Sequence, residues 1–219
     1  MKQIVSLSGG KDSTAMLLMM LERREQIDNI VFFDWGMEFP QMYEHLEKLE
    51  TYIGRTITRL YPKYSYEFYL VDYELKKGKR KGEHGYGWPN RMVPWCSRIK
   101  YQSFQRLYKD TTQCIGYAYE ERFRRAADRN GYRYPLLEWG VSETAALKYC
   151  LSNGFDWGGL YSIFKRVSCW HCPNQGSAIR KLRDNFPELW QRLLEMDAKS
   201  PYPWPNNDLE RIQQEITEH

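Results

Sequence analysis

The sequence predicts an α/β fold built on a parallel β-sheet, and one pattern that occurs twice supports this prediction. Residues 3–7 form a short apolar stretch, which is followed by a glycine turn and a helical pattern. Residues 29–33 form a second apolar stretch, and a second helical pattern follows it. Two β–α units in succession predict parallel strands joined by right-handed crossovers. With 219 residues, the chain is long enough for one such domain and a small appendage.

The first predicted helix covers residues 13–25, which are rich in Ala, Leu and Met. Pro40 suits the first turn of a second helix, and apolar residues keep helical spacing from there to about Gly54. Residues 56–60 include β-branched side chains and predict a third strand at the edge of the sheet. The carboxyl ends of these strands then lie at one edge of the sheet, where parallel sheets bind ligands.

The later elements complete this α/β plan. A fourth strand is predicted at residues 112–116, and residues 65–75 favour a helix. The other predicted helices are residues 96–107, 143–151, 177–184 and 187–196, and a last helix after a capping box of Asn207 and Glu210. We expect a main domain over residues 1–165 and a small helical, cysteine-containing part over residues 166–219 packed on it.

Composition limits the class of protein. The net charge is +4, from 32 basic and 28 acidic residues, which by itself does not indicate a nucleic-acid partner. No apolar run is long enough to span a bilayer, and the first residues resemble a core strand rather than a signal peptide. We therefore expect a cytoplasmic protein without a membrane partner. Aromatic residues make up 16% of the chain, and large core side chains are the commoner reason for this than rings that stack on bases.

The stretch from Ser8 to Ser13 predicts a site for an anion. Gly9 and Gly10 allow a sharp turn and a close approach of a ligand to the backbone. The N–H groups at the start of a helix, the helix dipole and the charge of Lys11 all favour a phosphate there. The loop differs from the Walker loop, which has four residues between its glycines. An ordinary tight turn between a strand and a helix is the alternative.

The cysteines indicate a metal site. Cys169 and Cys172 have the spacing of a chelate, and Cys96 supplies a third thiol. A redox pair or packed core cysteines are the alternatives. Cys114 and Cys150 lie within apolar patterns and are expected in the core. The four histidines form no catalytic or zinc-binding pattern, and we expect His45 on the surface of its helix.

Residues 76–81 carry five positive charges in six positions, within a loop that we expect to be mobile. Such a run would hold phosphates or a nucleic-acid backbone, or it would be a solvated flap. The sequence leaves both interpretations open.

Several motifs together resemble a known family. Ser-Gly-Gly-Lys-Asp-Ser resembles the PP-loop of the adenine nucleotide alpha hydrolase superfamily, which includes ATP pyrophosphatases, tRNA thiolases and PAPS reductases. Further segments are similar to the PAPS reductase family in order and spacing over about residues 1–190. These segments are residues 34–40, Arg91 with residues 96–100, residues 116–125, Pro135-Leu136, residues 159–161 and residues 169–173. The resemblance implies a Rossmann-like sandwich with a PP-loop nucleotide-binding domain over residues 1–165, and an enzyme.

The chain departs from the family pattern at three places. Ala118 and Glu120 replace an Arg and an Asp of the fourth-strand segment, although Glu121 and Arg124 match it. No cysteine follows Cys172, so the tail thiol with which assimilatory reductases attack the sulfonate is missing. The iron–sulfur branch has a cysteine pair where this chain has Cys96-Ser97. One ligand of four is therefore absent.

The resemblance implies an adenine nucleotide, ATP or PAPS, with Mg²⁺ as cofactor, and assigns residues to them. A nucleophile would attack the α-phosphate of ATP, release pyrophosphate and leave an adenylate, from which sulfur would displace AMP. The expected catalytic residues are Lys11, Asp12 and Arg124. The expected nucleotide-binding residues are Ser8, Gly9, Gly10, Lys11, Asp12, Ser13, Asp34, Glu38, Arg91, Lys100, Gly116 and Glu121. Arg125 is expected to face the anionic end as well.

For the metal, Cys96, Cys169 and Cys172 suit a [4Fe-4S] cluster with one iron left open, or Zn²⁺ with a fourth ligand from His171, Cys150 or water. The partners expected are a nucleic-acid or small-molecule sulfur acceptor, a sulfur donor protein and a second copy of the chain as a homodimer. Two other functions stay open. One is a PAPS or APS reductase that uses thioredoxin, and the other is a nucleotide-binding module without catalysis.

Overall fold

The computed structural model describes residues 1–124, 131–176, 178–205 and 208–215. It divides the chain into two compact units. The first unit contains Met1–Asp34, Glu38–Tyr61 and Gln102–Val167, and the second contains Trp35–Met37, Pro62–Tyr101 and Ser168–His219. The second unit therefore combines the carboxyl-terminal residues with residues 62–101. The division expected from the sequence, 1–165 and 166–219, instead placed residues 62–101 in the main domain.

A five-stranded parallel sheet forms the centre of the first unit, which confirms the predicted fold class. The strands are β1 (Lys2–Leu7), β2 (Asn29–Phe33), β3 (Thr58–Leu60), β4 (Thr111–Ile115) and β5 (Tyr132–Arg133). Their order across the sheet is β3-β2-β1-β4-β5, and every pair is parallel. The sequence did not predict β5 because a strand of two residues has no periodicity to detect.

Ten helices accompany these strands in the described part of the chain. They are α1 (Lys11–Glu22), α2 (Pro40–Ile53), α3 (Tyr66–Val71), α4 (Trp95–Tyr108), α5 (Pro135–Glu138), α6 (Glu143–Ser152), α7 (Leu160–Ile163), α8 (Ala178–Asn185), α9 (Pro187–Lys199) and α10 (Asp208–Gln214). The longest of them have 14 residues, so no helix in the described ranges has the length and apolar character to cross a bilayer. Asn207 of the predicted capping box lies outside the described residues.

Two predicted helices have different limits in the structure. α1 begins at Lys11 rather than residue 13, because Gly10 takes the extended conformation of a cap residue and Ser13 already lies within the first turn. The helix ends at Glu22, where Arg23 closes it with backbone bonds to Met19 and Leu21. α3 is shorter than the predicted 65–75, since it begins after the Ser65 cap and ends at Val71.

The second unit has an aromatic core. Trp35 forms edge contacts with Tyr66 and Trp95, with ring centroids 5.7 Å apart in each pair. Trp170 is also fully buried in this unit, and Trp88 packs on Trp204 at 4.7 Å. Many of the aromatic residues that the composition revealed therefore serve as core, which is the commoner of the two explanations considered.

Candidate nucleotide loop and cysteine centre

The glycine loop joins β1 to α1 at the position where the order of the strands reverses. β1 pairs with β2 on one side and with β4 on the other, so its carboxyl end faces the switch point of the sheet. Ligands of doubly wound sheets bind at such points. Gly9 has φ = +79°, and a Cβ atom on it would collide with the Met42 side chain. A glycine is therefore required at position 9 for two independent reasons.

Gly116, directly after β4, closes this loop from the other side. A Cβ atom on Gly116 would lie 2.7 Å from Ser13 Cα and 2.8 Å from Ser13 N, which are backbone atoms of the first turn of α1. The predicted site residue Gly116 thus packs against the helix N-terminus, and its missing side chain permits that approach. Its role in the site is steric.

The two serines of the loop bind each other. The Ser8 N–H donates to Ser13 Oγ at 3.1 Å, and the two hydroxyl oxygens are 3.0 Å apart. Ser13 Oγ also donates to the Gly10 carbonyl at 3.1 Å. The Ser13 hydroxyl therefore holds the loop in shape, whereas Ser8 is exposed to solvent.

Two side chains far along the chain form hydrogen bonds to the backbone of the loop. The Tyr161 hydroxyl accepts the Lys11 N–H at 2.7 Å, and Trp157 Nε1 donates to the Gly9 carbonyl at 2.8 Å. Helix starts leave such N–H groups without helical partners, so Tyr161 satisfies one of them. Sequence reasoning did not assign a role to either residue, although the similarity of residues 159–161 to a family segment was a signal.

His45 packs with Trp157 behind the glycine loop. The prediction that it lies on the surface of its helix is wrong. It is 3% exposed, stacks on Trp157 at 4.5 Å and lies with Nε2 3.0 Å from the Thr14 hydroxyl. Burial lowers the pKa of His45 to about 3, so the ring is neutral. The helical pattern was correct, but it placed this residue on the wrong face because the partner Trp157 comes more than 100 positions later.

Lys11 is buried in an ion-pair cluster. Its ammonium donates to Asp12 Oδ2 and Glu143 Oε2, each at 2.9 Å. Burial by itself would lower the pKa of Lys11, but the hydrogen bonds and charges of Asp12 and Glu143 outweigh burial and raise it. The pKa of Asp12 is raised, chiefly by burial, with Lys11 opposing and the charges of Glu143 and Glu121 adding to the rise. The lysine therefore lies among carboxylates, and sequence reasoning missed Glu143.

The loop after β2 has its own hydrogen-bonded link. The Tyr43 hydroxyl donates to Asp34 Oδ1 at 2.9 Å and accepts the Glu38 N–H at 3.4 Å. Burial and the neighbouring Asp34 raise the pKa of Tyr43 above its usual value. Asp34 is buried and Glu38 is half-buried, so Tyr43 connects the two predicted site residues at this strand end.

The fourth-strand segment contributes acidic groups to the loop. Residues Tyr119–Arg124 form a 3₁₀ helix, in which Glu120 accepts the Glu143 N–H at 2.9 Å. The charge of Glu121 reaches Asp12, as the raised pKa of Asp12 reflects. The side chain of Arg124 and the whole of Arg125 lie outside what the structure describes. Their expected positions at the anion remain predictions.

The predicted metal ligands all influence one tyrosine of the second unit. Tyr66 is buried, and its pKa is raised by burial and then by the charges of Cys96, Cys169 and Cys172. Cys96 lies in the first turn of α4, and burial raises the pKa of its thiol. The Cys172 N–H donates to the Cys169 carbonyl at 3.1 Å, which closes the turn between the two. All three predicted cysteines are therefore near enough to Tyr66 for their charges to raise its pKa.

Two polar atoms at this centre have no hydrogen-bond partner among the residues that the structure describes. They are the Tyr66 hydroxyl and His171 Nδ1, whose rings are 4.1 Å apart. Within the described ranges, no group of three or more His, Cys, Asp and Glu side chains has an arrangement suited to a single metal ion. Buried polar groups without partners cost free energy, so this centre is polar but incomplete as it stands. Arg91 and Lys100 also belong to the second unit, and their contact with a nucleotide remains a prediction.

The sheet order and the glycine loop define an α/β protein of the PP-loop class. Residues 2–175 match the phosphoadenosine phosphosulfate reductase domain, so the chain belongs to that family. An uncharacterized protein of Methanocaldococcus jannaschii is 27% identical over 207 residues, which cover 86% of this chain and 40% of that protein. The chain thus spans about two fifths of the length of this curated relative.

Two solved structures are similar to the chain. The phosphoadenylyl-sulfate (PAPS) reductase of Candida auris in its phosphate complex has a TM-score of 0.56 at 19% identity, covering 78% of this chain and 82% of that chain. The U34-tRNA thiolase NcsA of Methanococcus maripaludis with its [4Fe-4S] cluster has a TM-score of 0.46 at 17% identity, covering 89% and 72%. The similarity to the PAPS reductase structure shows that the two proteins share a fold.

Proposed function

We propose that the glycine loop binds the phosphate groups of an adenine nucleotide and that the protein transfers its adenylyl group. The observation that carries the proposal is the geometry of the loop at the switch point of the sheet, with Gly9 and Gly116 both kept free of side chains. The amides of Gly10, Asp12 and Ser13 would hold phosphate oxygens with the Ser8 hydroxyl, since Tyr161 already takes the Lys11 N–H.

The charged residues would divide the remaining tasks. Lys11 and Arg124 would neutralise the phosphates, and Asp12 would hold Mg²⁺. Asp34 and Glu38, which Tyr43 links, would bind the hydroxyl groups of adenosine or the Mg²⁺ ion. An acceptor oxygen would attack the α-phosphorus in line, forming a new P–O bond as the bond to pyrophosphate breaks. The products are an acceptor adenylate and pyrophosphate.

The cysteine centre supports a coupling of this step to sulfur transfer. A [4Fe-4S] cluster would be held by Cys96, Cys169 and Cys172, with one iron that no cysteine ligates. The Tyr66 hydroxyl has no hydrogen-bond partner in the described part of the chain, and the sulfur atoms of such a cluster would accept a hydrogen bond from it. When bound, such a cluster would supply sulfide to the acceptor. Replacing the C–O bond to AMP by a C–S bond to that sulfide would release AMP and would need no net oxidant or reductant. Zn²⁺ on the same cysteines is the alternative, and there it would be structural.

The chemistry of the other cysteines supports this assignment. Burial raises the pKa of Cys114 and of Cys150 to about 12, which leaves almost no thiolate at neutral pH. A PAPS or APS reductase, the second candidate and the one that the family match favours, needs a reactive thiol. Within this chain that thiol would be one of Cys96, Cys169 and Cys172, so metal on all three argues against reduction. A nucleotide-binding module without catalysis would bind ATP without turnover.

Anaerobically purified protein incubated with labelled ATP and candidate acceptors tests the proposal. We expect AMP and pyrophosphate to form in equal amounts, and Lys11→Ala to abolish both while the protein stays folded. Consumption of PAPS without release of AMP or pyrophosphate from ATP would contradict the proposal and favour the reductase.

Metal analysis and a visible spectrum of the same protein test the cysteine centre. Iron with absorbance near ~400 nm supports a cluster, and one zinc in a colourless protein supports the alternative. Cys96→Ser, Cys169→Ser and Cys172→Ser should each lower the metal content, and Cys114→Ser, the matched control, should not.

A further inference from the structure

The basic run at residues 76–81 is the tip of a hairpin in the second unit. The Leu75 N–H donates to the Glu83 carbonyl at 2.8 Å, and the Gly82 N–H donates back to the Leu75 carbonyl at 2.9 Å. Further from the tip, the Gly85 N–H donates to the Tyr73 carbonyl at 3.0 Å. The sequence predicts a mobile loop here, and these bonds join its two arms into a hairpin.

Packing anchors the hairpin at its base. A Cβ atom on Gly85 would lie 2.5 Å from the Leu70 carbonyl oxygen, so this arm lies directly against the end of α3. The Arg80 guanidinium donates to the Gly85 carbonyl at 3.0 Å, pairs with Glu83 at 2.7 Å and lies 4.1 Å over the Tyr202 ring. The second arm of the hairpin is therefore packed against other residues of its own unit.

Three of the five positive charges of the tip have no ion-pair partner among the described residues. Lys76 pairs with Glu74, but Lys77, Lys79 and Lys81 are exposed and form no ion pair within the described part of the chain. Residues 62–101 contain nine Lys and Arg and four Asp and Glu, a net charge of +5. Since the whole chain has +4, all other residues together have −1. The basic character of the protein is thus confined to this segment.

Aromatic rings extend from the base of the hairpin to the surface. Tyr73 stacks on Tyr86 at 5.3 Å with planes 11° apart, and Tyr86 stacks on Trp95 at 5.5 Å and 16°. On the outer side, Tyr64 contacts Tyr73 at 6.5 Å and is 38% exposed. The Lys63 ammonium lies 5.0 Å over the Tyr64 ring. The surface therefore has an exposed ring beside a cation, and the neighbouring Tyr73 precedes the first lysine of the tip, Lys76, by three residues.

We propose that this hairpin surface, formed by Lys63, Tyr64, Tyr73, Lys77, Lys79 and Lys81, binds single-stranded RNA. The lysines would contact phosphates, and an unpaired base would stack on Tyr64. Single strands expose the base faces that duplexes hide, and RNA presents them in loops and at ends. An exposed ring beside lysines without ion-pair partners can stack a base while the lysines hold its phosphates, so charge and ring together favour RNA.

This inference goes beyond the proposed function, which leaves the acceptor open. Binding of RNA at the hairpin needs no nucleotide and no turnover, so it can fail while the adenylyl chemistry stands. If both hold, RNA is the class of acceptor to test first.

Fluorescence anisotropy of a labelled oligouridylate with the full chain tests the lysines. For single strands, the logarithm of affinity falls with the logarithm of salt by about 0.7 per neutralised phosphate, so removing three contacts should reduce that slope by about 2. Lys77→Ala/Lys79→Ala/Lys81→Ala is the variant. The matched control is Lys2→Ala/Lys109→Ala/Lys148→Ala, which removes the same charge from exposed positions of the first unit and should keep the wild-type slope. Equal slopes for both triple variants would overturn the proposal.

A second variant tests the ring. Tyr64→Leu should weaken binding about tenfold, because it removes stacking while keeping an apolar side chain, and Tyr64→Phe should bind as the wild type does. Binding of duplex RNA as tightly as the single strand, with no effect of Tyr64→Leu, would show a general polyanion surface and overturn the proposal. Displacement of the RNA by poly-glutamate at equal charge concentration would point to an acidic protein instead and would also overturn it.

Discussion

The ammonium of Lys11 lies 2.9 Å from a carboxylate oxygen of Glu143, a residue 132 positions further along the chain. Asp12 takes the other side of the same ammonium. One positive charge is therefore shared by two carboxylates, and the three groups together carry −1. This net negative charge repels a phosphate that approaches the loop, unless a cation accompanies the phosphate or the ion pair between Glu143 and Lys11 breaks.

Replacing Glu143 by glutamine should increase the affinity for ATP in Mg²⁺-free buffer, because it removes one of the two carboxylates that compete for Lys11. Glu143 is partly exposed and solvent screens the pair, so we expect a modest gain of about two- to fivefold. Isothermal titration calorimetry measures it. Glu47→Gln, an exposed change on α2, is the control. A weaker affinity in Glu143→Gln than in the control would contradict this account.

Replacing Gly116 by alanine should destabilise the protein and prevent nucleotide binding. The new Cβ atom would meet the Ser13 backbone at 2.7 Å, and neither the end of β4 nor the first turn of α1 can move without the other. Overpacking of this kind costs about 1–3 kcal/mol. Urea unfolding monitored by circular dichroism gives the free energy of unfolding.

Gly54→Ala is the matched control for that change. Gly54 has φ = +62° and open space around its Cβ position, so alanine there is strained but meets no neighbour. It should lower the free energy of unfolding by about 1 kcal/mol and leave nucleotide affinity unchanged. If both variants bind nucleotide equally, close packing of Gly116 has no role in the site.

The buried His45 should make stability depend on pH. Its pKa is about 3 in the folded protein and about 6.5 when unfolded, so the unfolded state binds the extra proton. The free energy of unfolding should therefore fall as pH drops below about 6.5 and continue to fall towards about 3. At pH 5 the loss from this ring is about 2 kcal/mol.

Thermal unfolding between pH 5 and pH 8 measures this dependence. His45→Gln should be less stable at pH 8 but show a smaller loss on acidification. His84→Gln changes an exposed histidine and should keep the wild-type dependence. An unchanged pH dependence in His45→Gln would place the titrating group elsewhere.

The unpartnered Tyr66 hydroxyl should have opposite effects with and without metal. In metal-free protein, Tyr66→Phe removes a buried polar group that has no partner, so the free energy of unfolding should rise by about 1 kcal/mol. In cluster-loaded protein the hydroxyl would donate to sulfur, and its loss should lower the reduction potential measured by spectroelectrochemistry. Tyr69→Phe, in the same aromatic core, is the control for both measurements. Identical potentials in the two variants would argue against a bond from Tyr66 to sulfur.

Local patterns predicted much of the first unit. The limits of β2 and the start of α2 at Pro40 were predicted from apolar runs and helix-start chemistry, since both depend on neighbouring residues. The glycine loop was predicted for the same reason, because a turn and a helix N-terminus are properties of six consecutive residues.

The partners of that loop came only from tertiary structure. Glu143, Trp157 and Tyr161 approach Gly9 to Lys11 from more than 130 positions away, and no local period relates such residues. The misplaced His45 has the same cause, since the face that a helix buries depends on what packs against it.

The sequence by itself determined the class of fold, the glycine loop between a strand and a helix, and the spacing of Cys169 and Cys172. Each of these depends on residues that are close in the chain, where backbone geometry and hydrophobic periodicity act directly. Only the tertiary structure decided that Lys11 is shared by two carboxylates, that the charges of three cysteines act on Tyr66 and that the basic run forms the tip of a hairpin. Those features depend on burial, which removes water as a partner and makes each charge or hydroxyl rely on residues that folding brings to it.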